Sequence, residues 1–274
     1  MGVIIPQVVT SDRASGAQVI DGSLKFDRTI GTYLEKTFSS SGNRTTWTWS
    51  GWVKKLENNT SQDQTLFGGY GASNNTDWLE FGFGGSSDHS PADKLYWTTN
   101  GTTNGSSALL RDNSGWMNIV FSYDGSEFNV WKNGELIHTA GTSGNYGING
   151  NWVHRIGKSP NGDQRKGSHN ISQVYFIDGQ ALQPTEFGFT DPLTNTWKPK
   201  KYTGTFTGTN TFYLPFDGNS PIGKDQSGNG NDWTPVNFGG SVALDNPQVS
   251  GARPILNTTQ GGAQAGVGVF GSKQ

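Results

Sequence analysis

The stretch that most constrains the fold is Trp116–Ile137, with the sequence WMNIVFSYDGSEFNVWKNGELI. Over residues 117–123, Met, Ile, Phe and Tyr occupy every second position, which is the pattern of a strand with one buried face. Asp124-Gly125 then turns the chain. Asn133-Gly134 is the pair best suited to a type I′ turn, because both central positions need positive φ. Alternating runs joined by two short turns predict an antiparallel meander and therefore an all-β fold.

A second dense strand is predicted at Thr45–Lys54, TTWTWSGWVK. Trp47, Trp49 and Val53 fall on one face, and Trp52 falls on the opposite face. Large apolar side chains on both faces predict a central strand of a two-sheet sandwich, because neither face would then be open to water.

The other predicted elements are short. Further strands are predicted at residues 23–26, 33–36, 65–67, 78–83, 95–98, 153–157, 171–177 and 212–217, with the first two forming a hairpin. Polar, Gly-rich and Asn-rich stretches predict loops at 57–64, 68–77, 84–93, 100–107 and 139–151. A single short helical turn is predicted at 183–188, with Pro184 at its first position.

Composition agrees with a folded, turn-rich β protein. The 274 residues include 40 glycines and 12 % aromatic residues, and only 15 % are charged. A disordered chain would show the reverse. The net charge of −2 and the lack of a basic stripe predict no nucleic-acid partner, and Arg165-Lys166 and Lys198–Lys201 are interpreted as solvated loop charges. The absence of cysteine excludes disulfides, thiolate zinc sites and cysteine catalysis.

Patterning divides the chain into three parts. Residues 1–20 are predicted to be an N-terminal arm, either a frayed terminus or a segment that docks on a partner through Val3–Ile5. Residues 21–238 are predicted to form the β-sandwich, and residues 239–274 a Gly-rich C-terminal arm or linker. No hydrophobic run at the N-terminus is long enough for a signal peptide or a membrane span, so no membrane insertion is expected.

Three segments carry a resemblance to a known superfamily. VWKNGELI at 130–137 resembles the strand–turn–strand of laminin-G-like modules, and ISQVYFIDGQALQPTEFG at 171–188 is similar to the closing strand and helical turn of concanavalin A-like lectins and glucanases. FYLPFDGNSPIGKDQSGNGNDWTP at 212–235 resembles an Asp-x-Ser-Gly-Asn-Gly-Asn stretch that stands at the start of many such modules. The resemblance implies an all-β, two-sheet antiparallel jelly-roll sandwich.

The whole arrangement, with GSLKFD, TWTWSGWVK and ARPILNTTQGG in this order, is most similar to virion proteins of marine tailed bacteriophages over residues 20–260. This resemblance implies a structural protein on the surface of the phage particle, made in the host cytoplasm, as a capsid decoration, fibre or tail component. Its implied partners are major capsid or tail proteins, contacted through the arms, and further copies of itself, for which a trimer is one option that the sequence leaves open.

Catalysis is not expected. Glucanases of this superfamily place two Glu and an Asp at alternate positions of one strand, and a retaining mechanism needs two carboxyl groups about 5–5.5 Å apart. Glu80 has no such partner, and Asp77 has the wrong parity for the same strand face. No Gly-x-Ser-x-Gly elbow lies near a histidine. The histidines are interpreted as loop or strand-surface residues: His89, His138, His154 and His169.

Two kinds of binding site are candidates. Sugar recognition needs an aromatic platform, and Trp78, Tyr146 and Trp152 lie beside Asn/Gly loops, where the alternative is that they cap the ends of the sandwich. Calcium is the one candidate cofactor, because the superfamily often binds it through Asp and backbone carbonyl oxygens. Its candidate ligands, for which plain turn residues are the alternative, are Asp88, Asp93, Asp225, Asn229 and Asp232.

The predicted function is a non-enzymatic virion structural protein that exposes a lectin-like sandwich. The alternative is a carbohydrate-binding lectin module that recognises host or environmental glycans.

Overall fold

The computed structural model describes residues 17–18, 20, 22–71, 77–88, 92–99, 102–141, 146–217 and 220–238. Within them, the chain forms sixteen strands and one 3-10 turn, Pro184–Glu186. The strands are β1 (Leu24–Phe26), β2 (Tyr33–Thr37), β3 (Trp47–Lys55), β4 (Gln64–Tyr70), β5 (Trp78–Phe83), β6 (Lys94–Thr99), β7 (Thr102–Leu109), β8 (Met117–Tyr123), β9 (Glu127–Lys132), β10 (Glu135–Gly141), β11 (Val153–Ile156), β12 (His169–Asp178), β13 (Gly188–Thr190), β14 (Trp197–Pro199), β15 (Phe212–Leu214) and β16 (Thr234–Val236).

The strands form two main antiparallel sheets. Sheet A has the order β1-β12-β3-β8-β9-β10, with β15 also paired to β12, and sheet B has the order β16-β2-β11-β4-β5-β6-β7. Strands β13 and β14 pair separately. The predicted all-β, two-sheet antiparallel jelly-roll sandwich is confirmed.

Aromatic rings fill the space between the two sheets. Trp49 of sheet A lies 4.9 Å from Phe81 of sheet B, and Phe81 stacks on Phe121 at 3.9 Å between ring centroids. Strand β3 lies between β12 and β8, with Trp47 and Trp49 on the inner face and Trp52 buried on the outer face. The predicted central strand is therefore confirmed, and large rings allow a chain of low hydrophobic content to fill its core.

The outer faces of the two sheets differ. The segment after β12 folds back over sheet A, where Tyr213 stacks on Tyr175 at 4.3 Å and Tyr202 and Phe206 pack beside them. The outer face of sheet B instead carries polar and aromatic side chains, and those at its centre, such as Glu80 and Tyr96, are also buried.

A bulge in β12 lets two short strands share one of its edges. The register shifts between Ser172 and Tyr175, and Gln173 adopts a φ of 52°. Strand β1 pairs with β12 before the bulge and β15 pairs with it after the bulge. The Ser172 hydroxyl donates to the Gly22 and Pro215 carbonyl oxygens, which fixes both incoming segments.

The meander predicted over residues 116–137 is confirmed. Strands β8, β9 and β10 are consecutive neighbours in sheet A. Asn133 and Gly134 have φ values of 50° and 80°, the positive values that a type I′ turn requires.

Several local predictions are wrong. Residues 24–26 and 33–37 do not form a hairpin, because β1 belongs to sheet A and β2 to sheet B. Residues 102–109, predicted mainly as loop, form the exposed edge strand β7, which pairs with β6. The sequence also missed β13, β14 and β16, which are three-residue strands too short to show a period of two.

Most of the predicted arms lie outside the described residues. Of residues 1–20, only Ala17, Gln18 and Ile20 are described, and Ile20 packs on Trp52 at the outer face of sheet A. Residues 239–274 are not described. No helix among the described residues has the length and hydrophobicity to cross a membrane.

Candidate functional site

Two tryptophans lie at one rim of sheet B, on either side of the segment that contains Gly147. Trp78 begins β5 and faces Tyr70 of β4 in register, with the two rings perpendicular and 6.2 Å apart. Gly147 packs so closely on this strand that a Cβ there would lie 1.9 Å from the Trp78 main-chain nitrogen. The Gly147 carbonyl oxygen accepts a hydrogen bond from Trp152 Nε1 at 3.1 Å. Gly147 therefore contacts the main chain at Trp78 and the indole of Trp152, and a larger residue there would clash with the start of β5.

Arg44 fixes Trp152 and the segment beside it. Its guanidinium carbon lies 4.6 Å from the centre of the Trp152 ring, a cation–π contact. Arg44 Nη2 also donates to Asp77 Oδ1 and to the Tyr146 carbonyl oxygen, each at 2.9 Å. We call Arg44, Asp77, Trp78 and Trp152 the tryptophan rim. Because each group is held by a neighbour, the rim is ordered before a ligand binds, which lowers the entropy lost on binding.

The buried carboxylate of Glu80 supports Trp78, because the two residues are two positions apart on the same face of β5. Trp78 Nε1 donates to Glu80 Oε2 at 3.4 Å, and Ser159 Oγ donates to the same oxygen at 2.6 Å. Arg165 Nη1 and the Tyr96 hydroxyl donate to Glu80 Oε1 at 2.7 and 2.9 Å. Glu80 is fully buried, so these four donors replace the water that it loses on folding.

Arg165 is the shared counter-ion of three carboxylates. Besides its bond to Glu80, its Nε lies 3.5 Å from Asp63 Oδ2 and 3.6 Å from Asp88 Oδ2. Burial alone would lower the pKa of the Arg165 guanidinium, but the negative charge of Glu80 raises the pKa above its ordinary value. Burial and the charges of Glu80 and Asp63 raise the pKa of Tyr96 well above its ordinary value, so the phenol stays protonated and donates.

This network corrects one sequence interpretation. Arg165 is a largely buried ion-pair partner of Glu80, Asp63 and Asp88 rather than a solvated loop charge. Lys198, the first residue of the other basic cluster, is likewise buried, and its Nζ lies 3.1 Å from Asp191 Oδ2.

The network also limits the chemistry of Glu80. A general acid or nucleophile needs a carboxyl oxygen directed at the substrate. Both Glu80 oxygens instead face protein donors in a buried setting. Glu80 is therefore arranged to hold Trp78, Ser159 and Arg165 in place.

Tyr146 contributes its main chain rather than its ring to this region. Its side chain is only 6 % exposed, and the ring lies 4.6 Å from Tyr123 and 5.5 Å from Phe128. The structure therefore places Trp78 and Trp152 at the same rim, each next to Gly147, and turns the Tyr146 ring into the core. Glycan binding by any of the three stays a prediction.

The first two candidate calcium ligands, Asp88 and Asp93, already accept hydrogen bonds from protein groups. Asp93 Oδ1 accepts hydrogen bonds from Lys55 Nζ at 2.8 Å and from the Asn59 N–H at 2.9 Å. Asp88 Oδ2 accepts a hydrogen bond from the Asp63 N–H at 3.1 Å and faces Arg165. Burial opposes ionisation of Asp93, but the bonds from Lys55 and Asn59 outweigh it and lower the pKa of the carboxyl.

The second candidate set forms a self-bonded loop. Asp225 accepts hydrogen bonds from the main-chain N–H groups of Tyr213, Ser227 and Asn231 at 2.8–2.9 Å. Asp232 accepts from the Asp225 N–H and from Lys224 Nζ, and the Asn229 amide donates to the Thr211 carbonyl oxygen. Within the described residues, no group of three His, Asp or Glu side chains could hold a metal ion. Calcium binding at these residues stays a prediction.

Two histidines are placed differently from the prediction. His154 and His169 are fully buried core residues, not loop or surface residues. His154 Nδ1 donates to the Trp152 carbonyl oxygen at 2.9 Å, and its Nε2 accepts from the Asn149 N–H at 2.9 Å. His154 thus supports the main chain that carries Trp152. Residue identity alone gave no signal for this, because the partners are main-chain groups.

Comparison with known proteins gives the family. A family model described as the concanavalin A-like lectin/glucanases superfamily matches residues 8–186. A search of curated proteins by sequence found no match.

Solved structures also match this chain, and one of them shares its fold with a TM-score above 0.5. A proposed carbohydrate-binding protein from Bacteroides ovatus matches with a TM-score of 0.53 and 16 % identity, over 80 % of this chain and 58 % of that one. The chain thus spans a little more than half of that protein's length. A heptameric SAP-like pentraxin from Limulus polyphemus matches with a TM-score of 0.44 and 16 % identity, over 61 % of this chain and 79 % of that one. Domains LG4-5 of the mouse laminin α1 chain match with a TM-score of 0.44 and 11 % identity, over 62 % and 45 %.

Proposed function

This chain belongs to the concanavalin A-like lectin/glucanase superfamily, and on that premise we propose that it is a carbohydrate-binding module without glycosidase activity. The Bacteroides ovatus protein, proposed to bind carbohydrate, supports this function because it shares the fold over most of this chain. The sugar binds at the tryptophan rim.

The observation that carries this proposal is the fixed pair of half-buried tryptophans in the rim. Sugar rings present flat apolar C–H faces, and a rigid indole can cover such a face at little cost in conformational entropy. Arg44 and Asp77 form an ion pair at 2.9 Å beside these rings, and both remain partly exposed. They supply a donor group and an acceptor group for sugar hydroxyls.

The state of Glu80 supports a binding role over a catalytic one. A retaining glycosidase needs two carboxyl groups that face a substrate across the scissile bond. Glu80 is fully buried under its donors, and Asp63 is buried on the same arginine. We therefore expect no release of reducing sugar from any polysaccharide that the protein binds.

A glycan array probed with the labelled protein, followed by calorimetric titration of the strongest glycan, tests this proposal. Trp78→Ala and Trp152→Ala should each weaken binding at least tenfold. Tyr33→Ala is the matched control. Tyr33 is a half-buried ring in the same sheet that also stacks on cations, with Lys158 at 4.4 Å and Arg155 at 5.1 Å, but β11 and β4 separate its strand from β5.

The outcomes separate the function from the site. Binding that survives Tyr33→Ala and is lost in both tryptophan variants supports the proposal. Binding that all three variants retain would refute the rim as the site. No binding by the wild-type protein to any neutral or charged glycan would refute the function.

A further inference from the structure

A second cleft lies at another rim, where the start of β8 meets the turn between β9 and β10. Its volume is about 170 Å³. A cavity of about 150 Å³ can hold a benzene molecule, so this cleft has room for one six-membered ring. The residues that matter for its chemistry are Leu109, Arg111, Trp116, Met117, Lys132 and Asn133.

One wall of this cleft is apolar and aromatic. Trp116 lines it and packs against the buried pair of Ile20 and Trp52, so the indole is held from behind. Met117 and the exposed Leu109 extend the apolar wall. The same kind of surface, an indole fixed by its neighbours, characterises the tryptophan rim.

The cleft carries a surplus of positive charge. Lys132 makes no salt bridge with any residue that the structure describes, and the Arg111 side chain is 66 % exposed. Arg111 Nε lies 3.6 Å from Asp93 Oδ2, but Asp93 already pairs with Lys55 at 2.8 Å. Lys55 therefore balances Asp93, and Arg111 is the additional cation.

The acidic residue of the cleft is turned to its own loop. Asp112 Oδ1 accepts hydrogen bonds from the Ser114 N–H at 2.8 Å and from the Ser114 hydroxyl at 2.5 Å. These bonds lower the pKa of the carboxyl, and the positive charge of Lys132 lowers it further. The cleft then has two cations, Arg111 and Lys132, against the single carboxylate of Asp112.

Asn133 adds a neutral hydrogen-bonding group. Its main-chain N–H donates to the Asn118 carbonyl oxygen, and its Oδ1 accepts from the Asn118 N–H, both at 2.8 Å. The Asn133 Nδ2 is left as a donor at the edge of the cleft. An indole wall, two cations and an amide donor together match a ring that carries an anionic group.

We propose that this cleft binds a sugar ring bearing a carboxylate or a sulfate group. The anionic group lies between Arg111 and Lys132, and the ring packs on Trp116. This inference rests on the proposed carbohydrate-binding function and deepens it, because it gives the protein a second subsite with a different preference from the tryptophan rim.

Calorimetric titration of the full chain with three disaccharides tests this inference. The probes are an unsulfated chondroitin disaccharide, its 4-sulfated form and neutral cellobiose. We expect the two chondroitin probes to bind at least tenfold more tightly than cellobiose. Lys132→Met and Arg111→Gln should each remove most of this difference. Lys201→Met, at an exposed lysine outside the cleft, is the matched control and should leave it unchanged.

The comparison of the two anionic probes separates the carboxylate from the sulfate. Equal binding of both assigns the interaction to the carboxylate they share, and tighter binding of the sulfated probe assigns it to the sulfate. The inference is overturned if neither binds more tightly than cellobiose, or if Lys201→Met weakens binding as much as Lys132→Met. It is also overturned if Trp78→Ala, rather than Lys132→Met, abolishes anion binding. None of these outcomes decides whether neutral glycans bind at the tryptophan rim. That question is answered separately by the glycan array and by the Trp78→Ala and Trp152→Ala titrations.

Discussion

Because two histidines are buried, we expect acid to destabilise this protein at pH values well above those at which most carboxylates titrate. Burial lowers the pKa of His154 to about 4 and that of His169 to about 3. In the unfolded chain both return to the ordinary value of about 6.5. As the pH falls below 6.5, the unfolded state therefore binds more protons than the folded state. Stability is complete above this pH and is lost progressively down to the folded pKa values.

The size of the effect follows from the two shifts. Each pKa unit corresponds to about 1.4 kcal/mol, and at pH 4.5 both histidines are still largely neutral in the folded protein. Their combined contribution to the loss between pH 7.5 and 4.5 is then about 5 kcal/mol, in nearly equal shares. Since whole domains are stable by about 5–15 kcal/mol, this loss alone brings the protein close to unfolding.

Urea denaturation at pH 7.5, 5.5 and 4.5, followed by tryptophan fluorescence, measures this loss. His169→Leu should roughly halve it. Neither ring nitrogen of His169 has a partner, and its ring lies 5.1 Å from Phe26, so leucine removes the titration without breaking a hydrogen bond. His138→Leu is the control. Because His138 is only partly buried, this substitution should change the loss of unfolding free energy between pH 7.5 and 4.5 less than His169→Leu does. A free energy of unfolding that stays within about 1 kcal/mol across this pH range would refute the reasoning.

Three further predictions concern a buried salt bridge, a closely packed glycine and the candidate calcium ligands. Asp93→Ala leaves the Lys55 ammonium buried without its partner, and we expect the free energy of unfolding to fall by about 3–5 kcal/mol in urea denaturation. A loss below about 1 kcal/mol would contradict this. Gly147→Ala forces a Cβ against the main chain at Trp78 and should lower the free energy of unfolding by about 1–3 kcal/mol in the same measurement. It should also weaken glycan binding. An unchanged urea midpoint would contradict the close contact at Gly147. For the candidate calcium ligands, the alternative of plain turn residues predicts that dialysis against EDTA leaves the thermal midpoint within about 1 °C, because the carboxylates of Asp88 and Asp225 are already hydrogen-bonded. A rise of several degrees with calcium would favour the calcium site instead.

The sequence predicted the sandwich because its strongest signals are local. The meander of residues 117–137 combines alternation with a turn pair that needs positive φ, and both act within a few residues. The placement of β3 followed from tryptophans on both of its faces. The hairpin predicted from residues 23–26 and 33–36 is wrong, because the sequence indicates strands but not which sheet each strand joins.

The candidate site could be predicted only in part. Trp78 and Trp152 stood beside loops, and this signal found two members of the rim. Arg44 and Glu80 were missed because their roles depend on partners far away in the chain, such as Arg165 for Glu80. Tyr146 was misjudged because an aromatic residue beside a loop can turn either outward or into the core, and local sequence does not decide between them.

The predicted place on a phage particle remains a prediction. The family and the neighbouring structures concern the sandwich, and the predicted arms through which virion partners would be contacted lie almost wholly outside the described residues. Gold labelling of purified particles with an antibody against residues 20–235 would test it.

The most direct test of the central claim is an NMR titration of the indole N–H groups with the strongest glycan from the array. Trp78 Nε1 and Trp152 Nε1 each donate to a defined acceptor, and Trp78→Phe and Trp152→Phe assign their signals. If the tryptophan rim binds sugar, these two signals shift in a saturable manner while those of the core residues Trp47 and Trp49 do not. Saturable binding that leaves both rim signals unchanged, or no binding, would contradict the account.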